Sequence, residues 1–275
     1  MQNAALAELG LDWRYLACEL PPEELRVALD GAKAMRFIGV NLTVPHKLPA
    51  MDLMDELDES ARTWGAVNTV RFEGLDQQGT WQPLARLSET PKQIRMHGFN
   101  TDADAITRAL HEDLKVTLAG SKVLLLGAGG AGRTAGLKLA AENVAELYLV
   151  NRTQSKAEDL ATEIRERYRG VNVLVGFPPG NIDLILNATS LGLKADDPLP
   201  FDERQFPLSR AGAVYDMIYR PAETHLLKAA RRAGLPAANG LGMLLYQGAS
   251  ALEIWSGKPA PIEVMRQALE KNVYG

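Results

Sequence analysis

A glycine-rich segment in the middle of the chain constrains the fold most strongly. The residues Gly127-Ala128-Gly129-Gly130-Ala131-Gly132 follow a short apolar stretch, 122–126, and precede a helical pattern that extends to residue 142. In a strand–loop–helix unit, the first glycine permits the tight turn, the second lets the backbone approach a pyrophosphate, and the third allows close helix–strand packing. Backbone N–H groups and the helix dipole then bind the phosphates. This context predicts a dinucleotide-binding unit, the alternative being a tight turn without a ligand.

The elements around the glycine segment alternate between strand and helix. Five short apolar stretches predict strands at 122–126, 146–150, 171–175, 183–187 and 213–217. Such alternation is typical of a parallel sheet covered by helices. The sequence therefore predicts a doubly wound, Rossmann-type domain over residues 104–239.

The residues before this domain predict another α/β domain, 1–103. Helices are expected at 1–10, 22–34 and 50–64, and strands at 13–20, 37–44 and 66–72. The stretch 37–44 is continuous and β-branched, which indicates a buried parallel strand. Residues 240–275 are mostly helical and are expected to pack back on the first domain. A length of 275 residues agrees with two domains of about 150 residues each.

The residues after the second Rossmann strand indicate which dinucleotide binds. NAD-binding domains usually have an acidic residue there, which accepts hydrogen bonds from the ribose 2′-hydroxyl. This chain has Asn151-Arg152-Thr153 instead, followed by Lys156 one helical turn later. No carboxylate repels a 2′-phosphate, and the planar guanidinium of Arg152 is suited to pairing with it. These residues predict NADP rather than NAD, the alternative being a solvated surface arginine.

Polar residues interrupt the first domain at the ends of predicted elements. Lys47 follows the stretch 37–44, Asn68 and Thr69 begin another strand, and Asp102 directly precedes a helix. In open α/β sheets, ligands bind at the carboxyl ends of the strands. A single strand-end lysine is more often a surface residue, but the three polar groups together indicate a ligand site.

Composition excludes several other classes of protein. With 30 Lys and Arg against 34 Asp and Glu, the net charge is −4, which leaves no basic footprint for nucleic acid or an anionic membrane. No apolar run approaches the roughly 18 residues of a membrane span. The single cysteine, Cys18, excludes an internal disulfide and a cysteine-based metal cluster, and the histidines lack metal-ligand spacing. We expect no metal and a cytoplasmic location.

Eight short motifs cover essentially the whole chain in a specific order. They are Asn-Leu-Thr-Val-Pro-His-Lys (41–47), Gly-Ala-Val-Asn-Thr (65–69), Gly-Phe-Asn-Thr-Asp (98–102), the glycine segment (127–132), Asn-Arg-Thr (151–153), Asn-Ala-Thr-Ser-Leu-Gly-Leu (187–193), Tyr-Asp-Met-Ile-Tyr-Arg-Pro (215–221) and Asn-Gly-Leu-Gly-Met-Leu-Leu-Tyr-Gln-Gly (239–248). In these residues the chain resembles the shikimate dehydrogenase family, whose members reduce 3-dehydroshikimate to shikimate with NADPH. The resemblance implies an NADP(H)-dependent oxidoreductase of chorismate and aromatic amino-acid biosynthesis. It also implies a small-molecule substrate, a monomer or homodimer, and neither nucleic-acid nor membrane partners.

The resemblance further implies roles for individual residues. Lys47 and Asp102 correspond to the catalytic pair, with Lys47 as proton donor or as an electrostatic clamp on the developing oxyanion. The residues expected to hold the substrate are Thr43, Asn68, Tyr219 and Gln247, together with Lys47 and Asp102. Those expected to bind NADP(H) are Glu59, Gly127, Ala128, Gly129, Gly130, Ala131, Asn151, Arg152, Thr153, Lys156, Met217 and Gly240, the last at the nicotinamide end.

Two features depart from the family pattern. Members usually begin with a strand and a Gly-x-Pro…His-Ser-x-Ser-Pro segment just before the position of Met1, and the two serines bind the substrate carboxylate. Without these residues, either the chain is cut short or the protein is a divergent relative with a weakened substrate site. The segment 74–97 is also longer than usual, and we predict a long hairpin or surface loop there.

Three alternative functions stay open at this point. One is a relative that acts on quinate or on an aminated shikimate. Another is a truncated NADP-binding protein with weak or no activity, for which the missing serines are the reason. Methylene-tetrahydrofolate dehydrogenases share the two-domain plan, but the Asn-Thr-Asp and Asn-Arg-Thr motifs speak against them.

Overall fold

The computed structural model describes all residues from Met1 to Gly275 and divides into two compact units. Unit 1 comprises Met1–Asp102 and Leu245–Asn272, and unit 2 comprises Ala103–Leu244 and Val273–Gly275. None of the helices combines the length and the apolar character that crossing a membrane requires.

The helices and strands follow one another in a mixed order along the chain. The α-helices are α1 (Gln2–Glu8), α2 (Leu25–Ala34), α3 (Glu59–Trp64), α4 (Asp102–Leu114), α5 (Gly130–Ala141), α6 (Gln154–Arg167), α7 (His225–Arg232), α8 (Leu241–Ser256) and α9 (Ile262–Tyr274). The strands are β1 (Gly39–Asn41), β2 (Glu56–Leu57), β3 (Thr69–Leu75), β4 (Trp81–Pro83), β5 (Ile94–Phe99), β6 (Lys122–Leu126), β7 (Glu146–Val150), β8 (Asn172–Val175), β9 (Ile182–Asn187), β10 (Ala211–Asp216) and β11 (Ala237–Asn239). Short 3₁₀ turns occupy Pro22–Glu24, Pro49–Leu53, Leu84–Arg86 and Leu208–Arg210.

Unit 1 contains a mixed sheet in the order β1-β3-β5-β2, with β4 paired to β3. Strands β1 and β5 both pair antiparallel with β3, whereas β2 is parallel to β5. Val70 and Phe72 of β3 are fully buried in a core that includes Leu25 and Leu29 of α2. The two leucines are four residues apart on one face of the helix, so that face packs on the sheet.

Unit 2 is a parallel sheet in the order β11-β10-β9-β6-β7-β8. Numbered from β6, this is the 3-2-1-4-5-6 order of dinucleotide-binding folds, and the order reverses between β6 and β9. The central strands are buried on both faces, as Leu124 and Ile185 illustrate with no exposed area. The prediction of a Rossmann-type α/β fold is confirmed, and the glycine segment follows β6 at the reversal point, where such folds bind ligands.

Three element predictions in unit 1 are wrong. Residues 13–20 form no strand, and the backbone of Tyr15 binds the side chain of Asn3 instead, with its N–H 2.8 Å from Oδ1 and its carbonyl 2.9 Å from Nδ2. The stretch 37–44 contains only β1, a half-buried edge strand that is antiparallel to its neighbour. A strand is therefore shorter and less buried here than the apolar run suggested.

The expected helix 50–64 is also interrupted. β2 lies within it and pairs with β5, and the carboxylate of Asp55 accepts a hydrogen bond from the Met96 N–H at 2.7 Å. Asp58 then caps α3 by accepting from the Ser60 N–H. The acidic residues in this stretch resemble the exposed face of a helix, but Asp55 binds the backbone of a neighbouring strand and Asp58 caps α3. An aspartate carboxylate can accept hydrogen bonds from the free N–H groups at a helix start. The long hairpin expected at 74–97 is present as β3, β4 and β5.

Candidate active site

Lys47 and Asp102 meet in unit 1 as an ion pair. Asp102 is the first residue of α4, and Lys47 lies in the turn after β1. The Lys47 Nζ is 2.7 Å from Asp102 Oδ2, and the side chains are 27% and 12% exposed. A hydrogen bond of 2.9 Å from the Val67 N–H to the Lys47 carbonyl fixes the lysine backbone against the 65–69 motif. The pair is therefore held in place while remaining partly open to solvent.

Asn68 lies beside this pair and is almost completely buried, at 1% exposure. Its Oδ1 accepts from the Thr101 N–H at 2.9 Å and from the Thr69 hydroxyl at 3.1 Å, and its Nδ2 donates to the Thr101 hydroxyl at 2.9 Å. A primary amide offers two N–H donors, so one donor of Asn68 remains for a ligand. The Asn68–Thr101 contact places this amide next to the residue that precedes Asp102.

Asn100 connects Asp102 to the 65–69 motif. Its Oδ1 accepts from the Asp102 N–H at 3.1 Å, and its Nδ2 donates to the Ala66 carbonyl at 3.0 Å. The Asn100 N–H in turn donates to the hydroxyl of Ser60 at 3.1 Å. A side-chain oxygen that accepts from the first N–H groups of a helix stabilises the helix start. Asn100 therefore connects the start of α4, where Asp102 lies, to the 65–69 motif.

A further polar chain reaches the site from Tyr15. The Tyr15 hydroxyl donates to Asn41 Oδ1 at 2.9 Å, and Asn41 Nδ2 donates to the Thr69 hydroxyl at 3.0 Å. Burial raises the pKa of Tyr15, so its hydroxyl remains a donor. Asn41, Asn100 and Thr101 are not among the predicted site residues. The signal for them was present, because Asn and Thr recur together at the element ends that carry Lys47 and Asp102.

Three other residues predicted to bind substrate or cofactor also lie in unit 1. Thr43 is exposed in the turn that carries Lys47, and Gln247 is half-buried on α8. Glu59 is the exposed first residue of α3. Their assigned contacts with substrate or cofactor stay predictions.

The glycine loop of unit 2 has the shape that a dinucleotide requires. Gly127 has φ of +101°, which L side chains rarely adopt, and a Cβ at Gly132 would lie 2.0 Å from the Gly127 carbonyl oxygen. In contrast, a Cβ at Gly129 or Gly130 would meet nothing within 4 Å. The loop is thus tightly packed on its protein side and open around the start of α5, where phosphate oxygens reach backbone N–H groups. These residues and Ala128 and Ala131 between them fit an NADP(H) pyrophosphate.

The loop after β7 supplies the second part of this site. Asn151 Oδ1 accepts from the Ala128 N–H at 3.0 Å, and its Nδ2 donates to the Thr153 carbonyl at 2.8 Å, so Asn151 joins the two loops. Arg152, Thr153 and Lys156 are exposed. Neither Arg152 nor Lys156 forms a salt bridge with a carboxylate of this chain, so both cations are available to a phosphate.

The third part of the site follows β10. Met217 is half-buried directly after the strand, and Tyr219 is 38% exposed two residues later. Gly240 is buried against this segment, because a Cβ there would lie 2.0 Å from the Met217 carbonyl oxygen. Met217 and Gly240 are therefore packed together at the carboxyl ends of β10 and β11, and Tyr219 follows in the same segment.

Comparisons with known proteins indicate the same family for successive parts of the chain. Three family descriptions match: "Shikimate dehydrogenase substrate binding domain" over residues 1–70, "Shikimate / quinate 5-dehydrogenase" over 109–190, and "Shikimate 5'-dehydrogenase C-terminal domain" over 240–270. A curated relative named shikimate dehydrogenase (NADP(+)), from Methanopyrus kandleri, is 39% identical over 99% of this chain and 90% of its own length.

Solved structures are similar to the whole chain as well. A crystal structure of a shikimate dehydrogenase in complex with NADP+ is 34% identical, covers 100% of this chain and 90% of its own, and has a TM-score of 0.84. A ligand-free 5-ketofructose reductase of Gluconobacter is 33% identical over 98% of this chain and 91% of its own, with a TM-score of 0.80. From the matched motifs, the full-length relatives and the fold, the chain belongs to the shikimate dehydrogenase family.

Proposed function

We propose that the chain interconverts 3-dehydroshikimate and shikimate with NADP(H), and that Lys47 and Asp102 act at the reacting oxygen. The observation that carries this proposal is the ion pair between Lys47 Nζ and Asp102 Oδ2, 2.7 Å apart and partly open to solvent. The shikimate dehydrogenase (NADP(+)) relatives, 35–41% identical over nearly the full chain, support the substrate and the cofactor.

Reduction of a ketone to an alcohol consumes one hydride and one proton. Bound NADPH supplies the hydride from its nicotinamide ring. Negative charge develops on the carbonyl oxygen as the carbonyl is reduced. The Lys47 ammonium group stabilises this charge and then donates its proton to the oxygen. Asp102 holds the ammonium group in position and accepts a hydrogen bond from a neighbouring substrate hydroxyl. In the oxidative direction, Lys47 takes the proton back.

Further polar groups of unit 1 select a hydroxylated carboxylate. The free amide hydrogen of Asn68 donates to a substrate oxygen, and the Asn100 contact keeps Asp102 in register with it. Thr43 and Gln247 complete the set of unit 1 groups that hold substrate hydroxyls or the carboxylate. A site built to hydrogen-bond several hydroxyls discriminates strongly against analogues that lack them, because its buried polar groups are then unpaired.

The NADP(H) site uses the groups that unit 2 leaves accessible. The start of α5 binds the pyrophosphate, and Arg152, Thr153 and Lys156 bind the 2′-phosphate. Met217 and Gly240 are the residues of this unit that would hold the nicotinamide part. We place this activity in chorismate and aromatic amino-acid biosynthesis, in the cytoplasm, with the enzyme as a monomer or homodimer, a point that sedimentation velocity tests.

A substrate panel tests the proposal directly. The purified chain is assayed for oxidation of shikimate, quinate and aminoshikimate with NADP+ and with NAD+, and for reduction of 5-ketofructose, the ketone named in one structural relative. We expect the highest kcat/KM for shikimate with NADP+. A higher value for another substrate overturns the substrate assignment. NADPH binding without turnover of any substrate instead identifies an NADP-binding protein that is not an active enzyme.

A further inference from the structure

Unit 2 contains a completely buried carboxylate that the proposed mechanism does not use. Asp216 is the last residue of β10 and has no exposed area. Burial raises the pKa of Asp216, and the hydrogen bonds it accepts oppose that effect. All the groups that bind it are neutral. Burying a carboxylate without a cation costs free energy unless hydrogen bonds satisfy it. The hydrogen-bond donors to Asp216 therefore indicate which segments this carboxylate holds together.

Three donors converge on this carboxylate, one from the end of β9 and two from the segment 217–224. Asn187, at the end of β9, donates from Nδ2 to Oδ1 at 3.0 Å. The Ile218 N–H, in the segment after β10, donates to the same oxygen at 3.1 Å. The Thr224 hydroxyl, at the cap of α7, donates to Oδ2 at 2.7 Å. Asp216 therefore closes both ends of the segment 217–224 onto the sheet.

These contacts continue to Met217 and Gly240, the two residues that the proposed function assigns to the nicotinamide half of the cofactor. The Met217 N–H donates to the Asn187 carbonyl at 2.9 Å, and the Gly240 N–H donates to the Ile218 carbonyl at 3.1 Å. Met217 and Gly240 are in direct contact, as the missing Cβ of Gly240 indicates. A loss of the Asp216 contacts would therefore loosen the segment that holds Met217 and Gly240, while leaving the glycine loop after β6 bound to Val150 and Asn151.

We infer that Asp216, with Thr224, is a positioning residue that fixes the 217–224 segment for the nicotinamide half of NADP(H). The inference rests on the proposed function only in that Met217 and Gly240 lie along the nicotinamide. It separates the site into two parts. The glycine loop and Arg152 bind the adenine half without Asp216, and the 217–224 segment needs Asp216 to hold the other half.

The test compares NADPH with 2′,5′-ADP, which lacks the nicotinamide half. Binding of both is measured by titration calorimetry on the full chain for wild type, Asp216→Asn, Thr224→Val and Thr224→Ser. Asp216→Asn removes the charge and keeps the shape. Thr224→Val removes the hydroxyl, and Thr224→Ser retains it as the matched control. Thermal unfolding of each variant establishes that unit 2 is folded.

We expect Asp216→Asn and Thr224→Val to weaken NADPH binding about ten- to a hundredfold. This is the change in affinity that corresponds to the loss of one hydrogen bond to a charged group. Their affinity for 2′,5′-ADP stays within twofold of wild type, and Thr224→Ser behaves like wild type towards both ligands. Equal weakening of NADPH and 2′,5′-ADP, or unchanged NADPH affinity in Asp216→Asn, overturns the inference. These binding measurements do not depend on shikimate turnover. A wild-type protein that does not turn over shikimate would therefore contradict the proposed function, while the comparison of NADPH with 2′,5′-ADP would still test the role of Asp216.

Discussion

Replacing Glu73 with glutamine is the perturbation of unit 1 whose effect the structure defines most fully. Glu73 lies on β3 and its side chain is 3% exposed. Its carboxylate accepts from Arg71, from Arg95 Nε at 2.7 Å, and lies 3.0 Å from His97 Nδ1. Burial alone would raise the pKa of Glu73, but the hydrogen bonds from His97, Arg71 and Arg95 outweigh it and lower that pKa to about 2.

The size of the effect follows from that shift. A pKa of about 2 in the folded chain against 4.5 in the unfolded chain corresponds to about 3 kcal/mol of stability at neutral pH. Because the folded value is the lower one, this stabilisation is complete above pH 4.5 and is lost as the pH falls towards 2. Glutamine does not titrate, so the stability difference between wild type and Glu73→Gln should shrink by about 1 kcal/mol at pH 4 and about 2 kcal/mol at pH 3.

Urea unfolding monitored by tryptophan fluorescence measures this difference. All four tryptophans, Trp13, Trp64, Trp81 and Trp255, belong to unit 1, so the signal reports that unit. Glu56→Gln is the matched control, because the Glu56 side chain is 38% exposed in its pairs with Arg62 and Arg95. Such pairs contribute less than about 1 kcal/mol. A Glu73→Gln variant as stable as wild type, or a difference that is the same at pH 7 and pH 3, would refute the reasoning.

Two further predictions concern NADPH binding to unit 2. Arg152→Ala should weaken NADPH binding about ten- to a hundredfold and leave NADH binding nearly unchanged, because only NADPH has a 2′-phosphate. Isothermal titration calorimetry measures both affinities, with Arg169→Ala, an exposed arginine of the same unit, as the control. Equal losses of affinity for both cofactors would exclude the 2′-phosphate contact. Gly132→Ala should weaken NADPH more than tenfold, because its Cβ would lie 2.0 Å from the Gly127 carbonyl oxygen and the loop must shift. The control is Gly170→Ala, where a Cβ meets nothing within 4 Å, and a Gly132→Ala variant that binds like this control would show that the loop tolerates the methyl group.

Unit 2 could be predicted almost completely from the sequence. Its strands are short, the central ones are apolar and buried on both faces, and amphipathic helices follow β6, β7 and β10, so these local patterns indicate the same parallel sheet. The strand Lys122–Leu126 and the glycine loop were found at their observed positions. Only the three-residue strand β11 went unrecognised, since Ala237–Asn239 has no β-branched or aromatic residue to mark it.

Unit 1 was harder because its strands depend on partners distant in the chain. The run Phe37–Val44 is apolar enough for a central strand, yet only Gly39–Asn41 pairs, and it pairs with β3 in the antiparallel direction. Periodicity reports burial and says nothing of direction or of how many neighbours a strand has. The acidic stretch 50–64 was ambiguous for a similar reason, since Asp55 and Asp58 serve backbone groups that only the folded sheet brings near.

For the candidate site, the sequence predicts the charged residues Lys47 and Asp102 but not Asn100, which binds the Asp102 backbone. Lys47 and Asp102 are 55 residues apart in the chain and 2.7 Å apart in the structure. The contacts of Asn100 with Asp102 and Ala66 are visible only once the helix start and the 65–69 motif are placed together. Neutral hydrogen-bonding side chains of this kind are common in loops, so composition alone does not distinguish them.

The turnover of Lys47→Ala tests the central claim most directly. Steady-state kcat for shikimate with NADP+ is measured together with the Kd for NADPH, and with Lys92→Ala, an exposed lysine of unit 1, as the control. Loss of the proton donor predicts a kcat about 10²- to 10⁴-fold lower, with NADPH affinity within twofold of wild type. A Lys47→Ala variant that turns over shikimate at the wild-type rate would contradict the assignment of the Lys47–Asp102 pair as the catalytic centre.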